Sequence, residues 1–133
     1  MFKKRKIDYL IIGAQKSGTT SLYEYLTSHP LIDKARKKEI HYFDDNYEKG
    51  KDWYHIRFPW IKGHLQGEAT PYYLFDTACP PLVKKYNPKV KLIVILRNPI
   101  ERAFSHYRMN VQRGEENLSF MEKQINVMSL DFQ

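Results

Sequence analysis

Tyr9-Leu10-Ile11-Ile12-Gly13-Ala14-Gln15-Lys16-Ser17-Gly18-Thr19-Thr20-Ser21-Leu22 is the stretch that decides the fold. A short apolar run leads into a loop bounded by glycines, and the loop opens the helical pattern Leu22-Tyr23-Glu24-Tyr25-Leu26. Strand, loop and helix in that order cradle a phosphate. Gly13 and Gly18 permit tight backbone turns, and the free N–H groups of the first helical turn point into the loop. The helix dipole adds partial positive charge at the same place. Lys16 brings a full cation, and Ser17, Thr19 and Thr20 bring hydroxyl donors. The expected ligand is an oxyanion.

The loop differs from that of a nucleotide triphosphatase, in which a lysine directly follows the second glycine. Thr19 stands there, and the lysine sits inside the loop at position 16. A metal-holding aspartate should also end a later apolar strand. The best such strand, Leu92-Ile93-Val94-Ile95-Leu96, ends in Arg97-Asn98-Pro99. A cation stands where the magnesium-holding acid would be, so no metal is expected.

Outward from these two strands the pattern is α/β. Residues 7–12 and 90–96 read as buried strands, apolar and β-branched. A helix is expected over 19–28, stopped near His29-Pro30. Loop and short extended structure follow over 31–45, then a short helix over 46–58 with Trp53 and Tyr54 partly buried in the core. Gly67-Glu68-Ala69-Thr70-Pro71 reads as a strand end and turn. Pro80 and Pro81 open a helix to Tyr86. Pro99 opens another to about Arg113, closed by Gly114, and Ser119-Phe120-Met121-Glu122 is a capping-box pattern for a last helix. Strands each followed by a helix imply a parallel sheet with right-handed crossovers, and ligands of such sheets sit at the strands' carboxyl ends. The loop and Arg97 both lie at such ends and are expected to share a cleft. Ser105 lies off the apolar stripe of its helix, Ile100, Ala103, Phe104, Tyr107 and Val111. At 1.5 Å per residue it is about 9 Å along the axis from Pro99, too far to cap the helix but within reach of a phosphate alongside. Arg97 has a plainer partner in Glu101.

The loop and the later Arg97-Asn98-Pro99-Ile100-Glu101-Arg102-Ala103-Phe104-Ser105-His106-Tyr107 resemble the PAPS-dependent sulfotransferases, and are more similar to the Golgi carbohydrate type and its bacterial relatives than to the cytosolic small-molecule type. Lys38-Glu39-Ile40-His41-Tyr42-Phe43-Asp44 resembles the K-E-x-H-F-F-D segment of the heparan sulfate enzymes, and Tyr47 to Pro59 resembles the segment that follows it. These motifs occur in the family's order from about Ile7 to about Phe120. The resemblance implies a P-loop-like parallel sheet flanked by helices and a donor, 3′-phosphoadenosine 5′-phosphosulfate (PAPS), with 3′,5′-phosphoadenosine as product. It places Lys16, Ser17, Gly18, Thr19 and Thr20, beside Gly13, on the 5′-phosphosulfate, and Arg97 and Ser105 on the 3′-phosphate. It makes Glu39 the catalytic base, with His41 and Asp44 near it; His41 is the competing base. Gly67-Glu68-Ala69-Thr70-Pro71-Tyr72-Tyr73 also looks like the family, but heparan sulfate members tend to carry lysine where this chain has Ala69.

Composition supports a folded, anion-binding chain. The 133 residues are 42% apolar and 14% aromatic, with net charge +7 and pI near 9.4. They are expected to form one partial sulfotransferase domain, 1–133, whose sheet is truncated at the C-terminus and which a second copy could complete. Basic clusters at Lys3-Lys4-Arg5-Lys6 and Lys34 to Lys38 come with no zinc spacing, no RNA-recognition aromatics and no zipper-linked basic helix, so no nucleic-acid partner is expected. The single cysteine, Cys79, excludes an intrachain disulfide and suits a reducing compartment. No apolar run reaches the length of a membrane span, and a cytoplasmic protein is expected. The activity expected is sulfuryl transfer to a hydroxyl or amine of a small molecule or glycan. The alternatives are a phosphoadenosine-binding fragment without turnover and an ATP-using kinase-like P-loop protein.

Overall fold

The apolar run before the loop forms β1 (Tyr9–Gly13), buried except at Ile12, in the computed structural model, which describes residues 5–123. β2 (Ile32–Asp33), β3 (Leu65–Ala69) and β4 (Lys91–Val94) join it. The four-stranded order is β2-β3-β1-β4, and every pairing is parallel. Helices α1 (Thr19–Thr27), α2 (Gly50–His55) and α3 (Cys79–Tyr86) connect the strands. The expected parallel α/β class is the one formed. No helix of the described residues is long and apolar enough to cross a membrane.

The chain divides into two compact units, 1–96 and 97–133. The first holds the sheet and the main core. Its centre is aromatic: Tyr42 stacks on Tyr54 at 4.2 Å and 8°, and Phe43, Phe58, Tyr73 and Tyr86 pack around them. Tyr54 is fully buried. Trp53 packs against this core and carries the Arg57 guanidinium 3.7 Å from its ring centroid. Both serve the core, as expected.

One expectation about the strands needs correction. The run over 90–96 is not buried: Leu92 is 54% exposed and Val94 42%. Among the described residues β4 pairs with β1 alone, and an edge strand has only one neighbour to cover it. The stretch 67–71 is the strand end and turn expected: β3 ends at Ala69 and a 3-10 turn, Pro71–Leu74, follows, with Gly67 in the middle of the strand. A Cβ there would fall 2.4–2.5 Å from Tyr9 ring carbons, so the ring crosses β3 where only glycine leaves space.

In the second unit, α4 (Pro99–Gln112) begins at the predicted proline. Its cap is Asn98, whose side chain accepts from Ile100 N–H at 3.0 Å and Glu101 N–H at 3.2 Å. Gly114 follows the helix at φ 72°, a backbone state glycine adopts without steric penalty. The capping box forms as read: Ser119 N–H donates to Glu122 Oε2 at 2.8 Å, and Glu122 N–H to Ser119 Oγ at 3.3 Å. The rest of that helix, beyond 123, lies outside the described residues, as do Lys3 and Lys4. Phe120 packs edge-on against Phe104 at 5.2 Å and Tyr107 at 5.4 Å.

Candidate active site

The site of the first unit lies at the carboxyl ends of β1 and β3. β1 stops at Gly13, where a Cβ would meet the Leu74 side chain at 2.6 Å; the loop passes too close for any larger residue. The loop is tied to the next strand by Ala14 N–H to Ile95 O at 2.9 Å and Ile95 N–H to Gly13 O at 2.9 Å. Lys16 has φ 60° and Gly18 φ 91°, left-handed turns that curl the chain over the start of α1. Gly18 is the N-cap residue, no side chain caps the helix among the described residues, and the first turn holds no acidic residue. Ser17 Oγ is buried and has no hydrogen-bond partner among the described residues. A buried hydroxyl without a partner is rare. With the uncapped N–H groups behind it, it fits an oxyanion lying in the loop.

The Glu39 segment lies beside the start of α1. Thr19, Thr20, Lys37, Lys38, Glu39 and Ala69 line one pocket of about 40 Å³, so residues far apart in sequence share a wall. The Glu39 side chain is 57% exposed, and its carboxylate lies 3.5 Å from His41 Nε2. On its other side the imidazole donates Nδ1–H to Asp44 Oδ2 at 2.7 Å, and the Asp44 side chain is 1% exposed. Burial pulls the His41 pKa down, but the Asp44 hydrogen bond and the charges of Asp44, Glu39 and Asp45 outweigh it and the net shift is upward. Asp44 therefore orients His41, and His41 presents Nε2 to Glu39. Ligand atoms of His41, Asp44 and Asp45 lie within 4.8 Å of one another; both Asp44 oxygens are already engaged, by the His41 ring at 2.7 Å and by Asp45 N–H at 2.8 Å.

The backbone here is unusual. Glu39 has φ 42° and His41 φ 54°, a region that costs a non-glycine residue roughly 1–3 kcal/mol and persists only where surroundings impose it. A buried group missed in the sequence reading does so. Glu68 on β3 is 1% exposed. Its Oε1 accepts from Tyr54 Oη at 2.7 Å and Tyr73 Oη at 3.0 Å, and its Oε2 from Thr70 Oγ1 at 2.7 Å and Ile40 N–H at 3.3 Å. Burial pushes its pKa up, and these four donors work against that rise.

Arg97 and Ser105 belong to the second unit. Arg97 Nε lies 3.6 Å from Glu101 Oε2, with both side chains well exposed, so the plain pairing read from the sequence is present. Ser105 lies on α4.

The comparisons agree with this geometry. The family model described as sulfotransferase domain matches residues 6–129. A membrane-associated sulfotransferase, kil1, of Dictyostelium discoideum is 39% identical over 116 residues, which are 84% of this chain and 25% of that protein. Human heparan sulfate glucosamine 3-O-sulfotransferase 6 is 37% identical over 112 residues, 84% of this chain and 32% of that protein. The crystal structure of a sulfotransferase from Alicyclobacillus acidocaldarius superposes with TM-score 0.78 at 33% identity, over 89% of this chain and 55% of that one. The chain belongs to the sulfotransferase domain family. It spans between a quarter and a third of the length of these two curated relatives.

Proposed function

We propose that this chain carries the donor cradle and the base of a PAPS-dependent sulfotransferase acting on a hydroxyl or amine of a carbohydrate. The observation that supports this most is the shared pocket of Thr19, Thr20 and Glu39: a carboxylate lines the same pocket as the first two residues of α1, whose N-terminus no side chain caps among the described residues. PAPS, when bound, supplies the activated sulfuryl group. Ser17, Thr19, Thr20 and the first-turn N–H groups hold its phosphosulfate, and Lys16 meets the negative charge that grows on the leaving oxygens. Glu39 would take the proton from the acceptor hydroxyl or amine as that oxygen or nitrogen bonds to sulfur and the bond from sulfur to the bridging 5′-phosphate oxygen breaks, releasing 3′,5′-phosphoadenosine. His41, held by Asp44, orients Glu39. Arg97 and Ser105 are the residues proposed for the 3′-phosphate.

Lys37 and Lys38 line the same pocket beside Glu24 and Glu39, and the two lysines suit an anionic acceptor such as a sulfated or carboxylated glycan. Ala69 lines it too, so the departure from the heparan sulfate pattern falls on the acceptor side of the wall. The acceptor proposed is therefore an anionic glycan other than the heparan sulfate chain those relatives are named for.

The test is transfer of radiolabelled sulfuryl from PAPS to a panel of glycans, with and without a chelator. Label should appear on an anionic glycan at the same rate in both. Transfer that a chelator abolishes would contradict the metal-free scheme. Donor binding with no transfer to any acceptor would favour the phosphoadenosine-binding fragment.

A further inference from the structure

The strained segment 39–43 hangs on one buried acid. Ile40 N–H donates directly to Glu68 Oε2 at 3.3 Å. His41 N–H approaches Thr70 Oγ1 at 3.5 Å, and that hydroxyl gives its own proton to Glu68 at 2.7 Å. Tyr42 N–H at 2.8 Å and Phe43 N–H at 3.4 Å both donate to Tyr73 Oη, whose proton also goes to Glu68, at 3.0 Å. Four successive backbone N–H groups thus converge on one carboxylate, one directly and three through a hydroxyl. These residues form no regular helix or strand, so this is where their backbone hydrogen bonds go. A hydroxyl accepts from the loop through its lone pairs while its single proton points away from the incoming N–H. Glu68 is the acceptor that fixes both hydroxyls in that sense, and a fourth bond, from Tyr54 Oη at 2.7 Å, anchors the acid to the aromatic core.

We propose that Glu68 is the positioning residue of the active site: through Thr70 and Tyr73 it holds residues 40–43 so that Glu39 stays on the pocket it shares with Thr19 and Thr20 and His41 stays beside Glu39. It does not touch the reacting atoms. The inference rests on the proposed role of Glu39, and it asks for an acceptor-only group at 68. Glu68→Gln keeps the size but replaces one acceptor oxygen with an NH₂, which cannot accept from Ile40 N–H or from the hydroxyls.

Hydrogen exchange and the ring titration of His41, both followed by NMR on the whole chain, test the positioning without requiring turnover. Glu68→Gln is expected to speed amide exchange at Ile40 and Tyr42 by about tenfold or more while the central amides of β1 stay protected. The His41 pKa is expected to fall as its contacts with Asp44 and Glu39 loosen. Turnover, where measured, should drop through kcat with the KM for PAPS unchanged. Thr70→Val should speed exchange at His41, and Thr70→Ser should rescue it. If Glu68→Gln also unprotects β1, then Tyr73→Phe, which keeps Glu68, carries the test at Tyr42 and Phe43. Unchanged exchange over 40–43 in these variants, or an unmoved His41 pKa, would overturn the proposal whatever Glu39 does. Altered exchange together with full turnover in Glu39→Gln would leave Glu68 as the organiser of the segment and remove Glu39 as the base.

Discussion

Lys16→Ala is expected to lower sulfuryl transfer by about 10²–10³-fold, the usual loss when one donor to a developing oxyanion is removed. The fold should survive. Lys16 is exposed and sits in a loop, and its φ of 60° is a cost that alanine inherits unchanged. The loop's remaining donors, the first-turn N–H groups and Ser17, belong to other residues, so the anion should still bind, more weakly. The loss should therefore fall more heavily on kcat than on donor affinity, because charge on the leaving oxygen is greater in the transition state than in the bound donor. Steady-state kinetics with varied PAPS check this, with thermal unfolding as the control. Full turnover by Lys16→Ala would remove the loop from the chemistry.

Glu39→Gln is expected to lower transfer by about 10²–10⁴-fold, the range of a general base, with donor binding nearly unchanged. In the proposed scheme Glu39 serves the acceptor and not the donor, and its half-exposed side chain contributes little to stability. The same variant carries a second, spectroscopic signature. Glu39 is one of three carboxylates that raise the His41 pKa against burial, so its neutralisation should move the ring titration downward. The sign follows from charge: losing an anion destabilises the imidazolium relative to the neutral ring. If Glu39→Gln keeps its turnover while His41→Asn loses it, His41 is the base and Glu39 its partner.

How far the site was legible in the sequence depended on whether its determinants were local. The loop could be read because glycine spacing, hydroxyl content and the following helical period lie within a dozen residues. The Asn98 cap and the Ser119–Glu122 box are local too, although the first passed unnoticed behind Pro99. Glu68 was not legible. Gln66, Glu68 and Thr70 alternate with period two, which for polar residues suggests a solvent face, yet all three are at most 1% exposed. Their partners, Tyr54 and Tyr73 for Glu68 and Asp33 for Gln66, lie on other elements, and pairing across elements leaves no mark in one strand. β2, at two residues, is too short to show any period. The exposure of β4 is a matter of its place in the sheet rather than its composition. Nor could the left-handed backbone of Glu39 and His41 be read, since neither is glycine; it is imposed by hydrogen bonds from distant side chains. Glu39 itself was singled out only through the resemblance, because a glutamate among lysines is ordinarily a solvated charge.

The most direct test of the account is calorimetric titration of the chain with 3′,5′-phosphoadenosine, beside 5′-AMP and magnesium ATP. Binding of the bisphosphate that is independent of magnesium, weakened in Lys16→Ala and lost with the 3′-phosphate is the predicted result. Binding confined to magnesium ATP, or equal binding of 5′-AMP and the bisphosphate, would contradict it.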